Sequence, residues 1–185
     1  MREIILLDDS TRPHAPPLPG VTPEQRQHGR QLEMIHSLHR QQLAEARMAM
    51  DMAEAGTRPV EALRDAVASM DMIANYRRFA TLCGRECQAL TLHHRKEDGG
   101  LFPRLRGVSE GVARVVDRLM AEHAVVAALI ENLYESAVAL VNDPTPERFA
   151  ATRETFETLD RVVASHFGYE EGELQEAIGV TSLPV

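Results

Sequence analysis

The sequence predicts an all-α protein: an up-down-up-down four-helix bundle preceded by an extended, Pro-rich N-terminal arm. Three observations carry this prediction. Aromatic residues make up only 4% of the chain, with no Trp, while Ala, Leu, Met, Glu, Arg and Gln are frequent, which favours helices over sheets. Helix start and stop signals recur at intervals that fit four long helices joined by short loops. Apolar residues return with helical spacing, and neither a strand pattern nor an internal repeat competes.

Residues 1–21 hold Pro13, Pro16, Pro17, Pro19 and Gly20, too many breakers for a helix, and make the arm. Residues 22–180 make the bundle, one domain long enough to bury a core. Thr22-Pro23-Glu24-Gln25 supplies an N-cap, a Pro at the first helical position and a Gln three residues after the cap. This first helix runs to about Ala55, where Gly56 ends it. A second begins at Thr57-Arg58-Pro59, bends between Met70 and Asn75 and continues through Asp98. Its last turn, at Leu101-Phe102-Pro103, is irregular. Ser109-Glu110 opens the third helix, which stops at Asn142-Asp143-Pro144. Thr145-Pro146-Glu147 opens the fourth, which ends near Gly179.

Composition also limits function. Hydrophobic content of 44% and charged content of 26% are ordinary for a soluble globular chain. A formal net charge of −8 leaves no basic face of the size that phosphate binding needs, so nucleic acid is not an expected partner. No uninterrupted apolar run reaches the roughly 18 residues of a membrane span. The opening MREIILLDDS turns acidic too soon for a signal peptide. Two Cys in such a chain read as reduced thiols of a cytoplasmic protein.

Helical phase then selects the inward residues. At about 100° per residue, a face centred on Leu90 takes in Phe79, Cys83, Cys87, His93, His94, Glu97 and Leu101, with Asp98 at its border. On the fourth helix Leu159, Val162, His166, Glu170 and Ala177 share a face, and Glu171 points outward, about 140° from His166. On the third, Val116, Leu119, His123, Ala127, Ile130 and Tyr134 form the stripe; on the first, Leu32, His36 and Leu43 do. Each helix thus presents a histidine to the interior. A rise of about 1.5 Å per residue brings these histidines to nearly one level in antiparallel helices.

One inward histidine is commonly a satisfied core residue. Five imidazoles (His36, His93, His94, His123 and His166) with two carboxylates (Glu97 and Glu170) at one level of an apolar core are costly unless something satisfies them. A metal does so, and this donor mixture suits iron or zinc more than magnesium or calcium. The donors exceed what one tetrahedral zinc takes. Two metals bridged by carboxylates fit the count.

The pieces IHSLHRQQL, LHHRKEDGGLFPRL, EH and HFGYEEGEL resemble the hemerythrin-like, or HHE cation-binding, family over about residues 25–178. The resemblance implies a bundle around a non-heme diiron centre of two iron ions. Carried over by position, it implies His36, His93, Glu97, His123, His166 and Glu170 as iron ligands, with Glu97 and Glu170 as bridges. His94 stands where some relatives hold a further ligand. The chain departs from the oxygen-carrying hemerythrins in two places. Their second histidine, four residues after the helix-three ligand, is Ala127 here. Their carboxylate five residues after the helix-four histidine would be Glu171, whereas helical phase favours Glu170. A ligand set poorer in His turns the reading away from simple reversible oxygen carriage. The ferritin-like diiron class needs two Glu-x-x-His motifs, and only Glu33 to His36 fits.

The resemblance implies binding or turnover of dioxygen, hydrogen peroxide or nitric oxide, including as a redox or iron sensor. The alternative is a diiron oxidase or oxygenase acting on a small organic substrate. It needs a cavity beside the iron, for which Ala124, Ala127, Ala128, Ala164 and Gly168 leave room. A metal-dependent interaction module is a third reading, and the residues do not choose among them. Of the others, His39 flanks the first helix's inward face as a supporting or surface residue, and His14 and His28 lie outside the core. Cys83 and Cys87 are either small core residues or a thiol pair coupled to the iron's redox state. Arg40 and Arg47 either pair with carboxylates or lie along the stripe.

Overall fold

The computed structural model describes residues 2–56 and 84–183, and all regular structure among them is helical. Helix α1 (Pro23–Gly29) opens on the predicted capping box: Gln25 N–H donates to Thr22 Oγ1 at 3.3 Å, and Thr22 N–H donates to Gln25 Oε1 at 2.9 Å. The first helix is not continuous, as the sequence reading had it. It turns at Arg30 before α2 (Gln31–Gly56). The break sits beside a close approach of two backbones. A Cβ on Gly29 would lie 1.9 Å from the carbonyl oxygen of Gln175, and one on Gly179 would lie 2.2 Å from that of Gln25. Only glycine at both positions lets α1 rest directly on the last turns of the fourth helix.

Helix α3 (84–96) leads into a π-helical turn, Glu97–Leu101, and then α4 (Phe102–Leu105), with Pro103 in its first turn. The irregularity therefore falls at Glu97–Leu101 and not at Leu101-Phe102-Pro103. The predicted start at Thr57 and the bend at Met70–Asn75 lie outside the described residues. Helix α5 (Glu110–Asn142) is capped by Ser109, whose hydroxyl accepts from Val112 N–H. Helix α6 (Pro146–Thr181) is capped by Thr145, accepting from Arg148 N–H. It runs two residues past Gly179 and ends on Ser182 in the left-handed region, φ 50°.

Helix α6 packs against α1, α2 and α5. Among the described residues the apolar interior divides into two clusters, one around Leu43, Leu90, Val126, Leu133, Phe156 and Phe167, the other around Leu32, Leu101, Phe102, Leu119, Leu174 and Ile178. On α2, α3 and α5 the buried residues between the two clusters are polar: His36 and His39 between Leu32 and Leu43, His94 and Glu97 between Leu90 and Leu101, and Glu122 and His123 between Leu119 and Val126. On α6, Glu170 lies between Phe167 and Leu174. A buried polar layer thus splits the core. By length and composition alone α5 is apolar enough to cross a membrane, which a count of uninterrupted apolar residues does not register. Its Val112, Val115, Val116, Leu119, Val126 and Leu133 are buried in the two clusters.

Residues 2–22 contain one 3-10 turn, Asp9–Thr11, and run against α5 and α6. Arg2 exchanges two hydrogen bonds with Asn132, Tyr169 donates to Pro13 O at 2.6 Å, and the amides of Ala15 and Leu18 donate to Glu173 and Glu176, each at 2.8 Å.

Candidate metal centre

The polar layer holds all seven residues singled out by phase. His94, His123 and His166 bring donor atoms within 4.8 Å of one another, and so do His36, His93, Glu97 and Glu170. All are buried except the half-buried His93, and His36, His166 and Glu170 are 0% exposed. The carboxylates lie between the two groups. Glu97 points Oε1 at His93 Nε2 (3.2 Å) and Oε2 at His123 Nε2 (3.7 Å). Glu170 places Oε2 3.5 Å from His36 Nε2 and 3.7 Å from His166 Nε2.

The outer nitrogens explain which way the rings face. His36 Nδ1 lies 2.9 Å from Glu171, His123 Nδ1 2.8 Å from Asp98, and His166 Nδ1 3.0 Å from Glu122. A carboxylate only accepts, so each Nδ1 carries the proton and each Nε2 presents a lone pair to the interior. His123 Nε2 and His166 Nε2 then face each other at 3.1 Å with no proton to share. Both oxygens of Glu97, both of Glu170 and Nε2 of His94 are buried and make no hydrogen bond. Each such orphan costs about 1–3 kcal/mol. Converging lone pairs and unbonded carboxylates are repulsive on their own and become favourable around cations, so the donor set fits bound metal. Carboxylates on the outer nitrogens are the support that metal-ligating histidines ordinarily have.

Local sequence builds this arrangement. The π-helical turn starts at Glu97, and Gly99-Gly100 weakens the competing regular helix. Glu97 faces the layer while its neighbour Asp98 reaches across to His123 on α5. Phe167 stacks on His36 with ring centroids 3.8 Å apart, and His94 stacks on His123 at 4.0 Å, fixing the ring planes.

The electrostatics match. Burial, reinforced by neighbouring imidazoles, lowers His36 to about 2 and His93 to about 3, and holds His94 well below its usual value. Burial also lowers His166 to about 4, although its bond to Glu122 opposes this. Burial raises Glu170 to about 8, and burial plus the charge of Glu170 raises Glu97. Burial works upward on Glu122 too, but hydrogen bonds from His166, Arg12 and Arg118 outweigh it and bring that carboxyl down to about 2. The inner carboxylates lack cations and the outer one has two guanidiniums.

The family model of the Hemerythrin HHE cation binding domain matches residues 25–178. The chain belongs to this family. No curated protein and no solved structure matches it. As a hemerythrin HHE domain it is a metal-binding domain, of a family that typically binds iron, and its His and Glu clusters are placed for that role.

Several sequence expectations for this HHE domain change. Glu171 does not point to solvent: its side chain bends to α2, where it bonds His36 and Arg40. Asp98, at the border of the predicted face, bonds His123, and Glu122, not singled out, bonds His166. His39 is buried, with Nδ1 2.7 Å from the buried Glu86, and is no surface residue. Arg40 and Arg47 pair with Glu171 and Asp160. Ala127 and Tyr134 are exposed, because α5 buries Val126 and Leu133 instead. Ala124, Ala164 and Gly168 are exposed too, so of the five small residues expected to leave room beside the ligands only Ala128 is buried. A cavity of about 510 Å³ lies instead on the α2–α3 side, bordered by His39, His93 and Glu97. Cys87 is buried in the cluster with Leu90 and Phe167; Cys83 and Phe79 lie outside the described residues. His14 and His28 bond Glu173 and Leu183 O, away from the centre.

Proposed function

We propose that this chain is a non-heme diiron hemerythrin-like protein, with two iron ions held inside an up-down-up-down bundle of residues 22–180. The observation that carries the reading is the place of Glu97 and Glu170, each between a histidine of one donor group and a histidine of the other. That is the place of bridging ligands. His94, His123 and His166 would serve one iron, His36 and His93 the other.

Bound iron supplies reversible redox chemistry and open coordination positions. The chain's own residues do the rest. Glu171, Asp98 and Glu122 keep the Nδ1 protons in place so that the Nε2 lone pairs face inward. The two apolar clusters exclude bulk water from either side. The group with fewer imidazoles is the one whose His93 and Glu97 border the cavity. Access to the centre therefore lies on the side with fewer residues to hold a metal, which supports binding or turnover of dioxygen, hydrogen peroxide or nitric oxide, with sensing of redox state or iron as the biological form.

A specific observation favours a second reading, a diiron oxidase or oxygenase acting on a small organic substrate. The cavity of about 510 Å³ is within the ordinary range for small-molecule sites.

Anaerobic reconstitution with ferrous iron, followed by spectra after adding oxygen, peroxide or nitric oxide, tests the proposal. New charge-transfer absorption with at least one of the three is expected. A loaded protein whose spectrum none of them alters would overturn it.

A further inference from the structure

The cavity beside His93 has a chemistry of its own. Its walls include Leu32, Ile35, Leu92, Leu101 and Leu183. Its inner end is His39, His93 and Glu97, and its mouth carries Lys96 and Arg104, both exposed. Neither cation has an ion-pair partner among the described residues, although ten of the fifteen arginines among those residues do. Among the described residues the only carboxylate on the lining is Glu97, which is buried in the metal centre. Asp98, next along the chain, is bonded to His123, and Glu86 is bonded to His39. On a chain of net charge −8, the mouth of its cavity at the centre is positive.

An apolar pocket with two convergent cations at its entrance selects an amphiphilic anion. Its hydrocarbon part gains about 25 cal/mol for each Å² removed from water, and its charge meets unpaired cations. We propose that this cavity binds a small organic carboxylate of medium chain length, head group between Lys96 and Arg104 and apolar end toward the edge formed by His39 and His93. His39, its Nδ1 proton held by Glu86, is oriented as part of the inner wall. The inference deepens the second functional reading, on which the fate of the ligand rests; the binding itself needs no redox chemistry.

The test uses the full-length protein loaded with zinc, and again with iron, titrated calorimetrically with octanoate, octanol and octylammonium. Octanoate binds tightest, at least tenfold over octylammonium. The double variant Lys96→Glu, Arg104→Glu weakens octanoate at least tenfold and leaves octanol within about twofold. Ala89→Phe, on the regular helix α3 and on the cavity wall, blocks all three. Metal content and the melting curve of each variant establish that the centre and fold are intact. Equal binding of the three ligands overturns the assignment. So does binding that requires iron and ignores the charge reversal, because the carboxylate then sits on the metal. Should the chain not take up iron while octanoate binding stays charge-dependent, the diiron reading fails and the pocket stands. With iron loaded and octanoate indifferent to charge, the reverse holds.

Discussion

Glu171 holds one end of the His36 ring, 2.9 Å from Nδ1, while its neighbour Glu170 faces the other end, 3.5 Å from Nε2. Two consecutive glutamates on α6 thus address opposite nitrogens of one imidazole on α2. Their surroundings set them apart. Glu171 is partly exposed and paired with Arg40, whereas Glu170 is fully buried and its oxygens make no hydrogen bond. Burial raises the second to about 8.

These roles predict different losses. Glu170→Ala should remove a donor shared by both groups and abolish stable iron binding. Glu171→Ala should keep iron at saturation but weaken it about 10–100-fold, as loss of an outer hydrogen-bond partner does. Chelator competition separates the two. Retained iron in Glu170→Ala, with loss in Glu171→Ala, would exchange the assignments.

Iron should load at about two per chain, because seven side chains form two donor groups with two carboxylates between them. Metal analysis of anaerobically purified protein is the measurement. One metal or fewer, with zinc alone present, sinks the diiron reading.

Arg12 reaches the centre from far along the chain. Its guanidinium makes two hydrogen bonds to Glu122, at 2.9 and 3.0 Å, and Glu122 accepts a hydrogen bond from Nδ1–H of His166. Arg12→Ala should leave Glu122 ionised, since Arg118 still donates to it at 2.7 Å, but less firmly placed. Iron in the group that includes His166 should then bind several-fold more weakly, and Glu122→Gln more weakly still, within about 10–100-fold of the parent. A stepwise iron titration should show one step moved and the other not. A lower melting temperature with both steps unmoved would make Arg12 only an anchor for residues 2–22.

The contrast between inner and outer residues also explains what could be read from sequence. His36, His94, His123, His166, Glu97 and Glu170 lie on faces fixed by a period of about 3.6 residues, so their direction follows from apolar neighbours such as Leu90 and Leu159. Cap chemistry placed the starts at Thr22, Ser109 and Thr145 for the same reason, since it is local. Glu171 defeated the phase argument because a glutamate side chain is long enough to bend to the adjacent helix, and Arg40 waits there. Glu122 owes its role to His166 and Arg12, which are near it only in the fold. The exposed Ala124, Ala127 and Ala164 show the limit of a stripe drawn on one helix: which flank meets a neighbour depends on how the helices pack.

The metal-free protein should be most stable near pH 6–7 and lose stability on both sides. His36, His93 and His166 have folded values of about 2, 3 and 4, against 6.5 in the unfolded chain. Below about 6.5 the unfolded state takes up protons that the folded state refuses, so stability falls as pH falls, by up to about 1.4 kcal/mol per pH unit for each group. Glu170 works the other way. Between its ordinary 4.5 and its folded value of about 8, the folded state keeps a proton that the unfolded state has lost, and stability falls as pH rises through that window. Glu97 is shifted in the same direction. From 4.5 to 6.5 the histidines outnumber the carboxyls and the acid-side loss dominates; above 6.5 only the carboxyls act. Bound iron needs both carboxylates ionised, so loading releases protons and should abolish the alkaline decline. Melting temperatures of metal-free and iron-loaded protein from pH 5 to 8.5 decide this. A metal-free midpoint that climbs from 6.5 to 8.5 would mean that Glu97 and Glu170 ionise without a metal, and that burial is not what holds their protons.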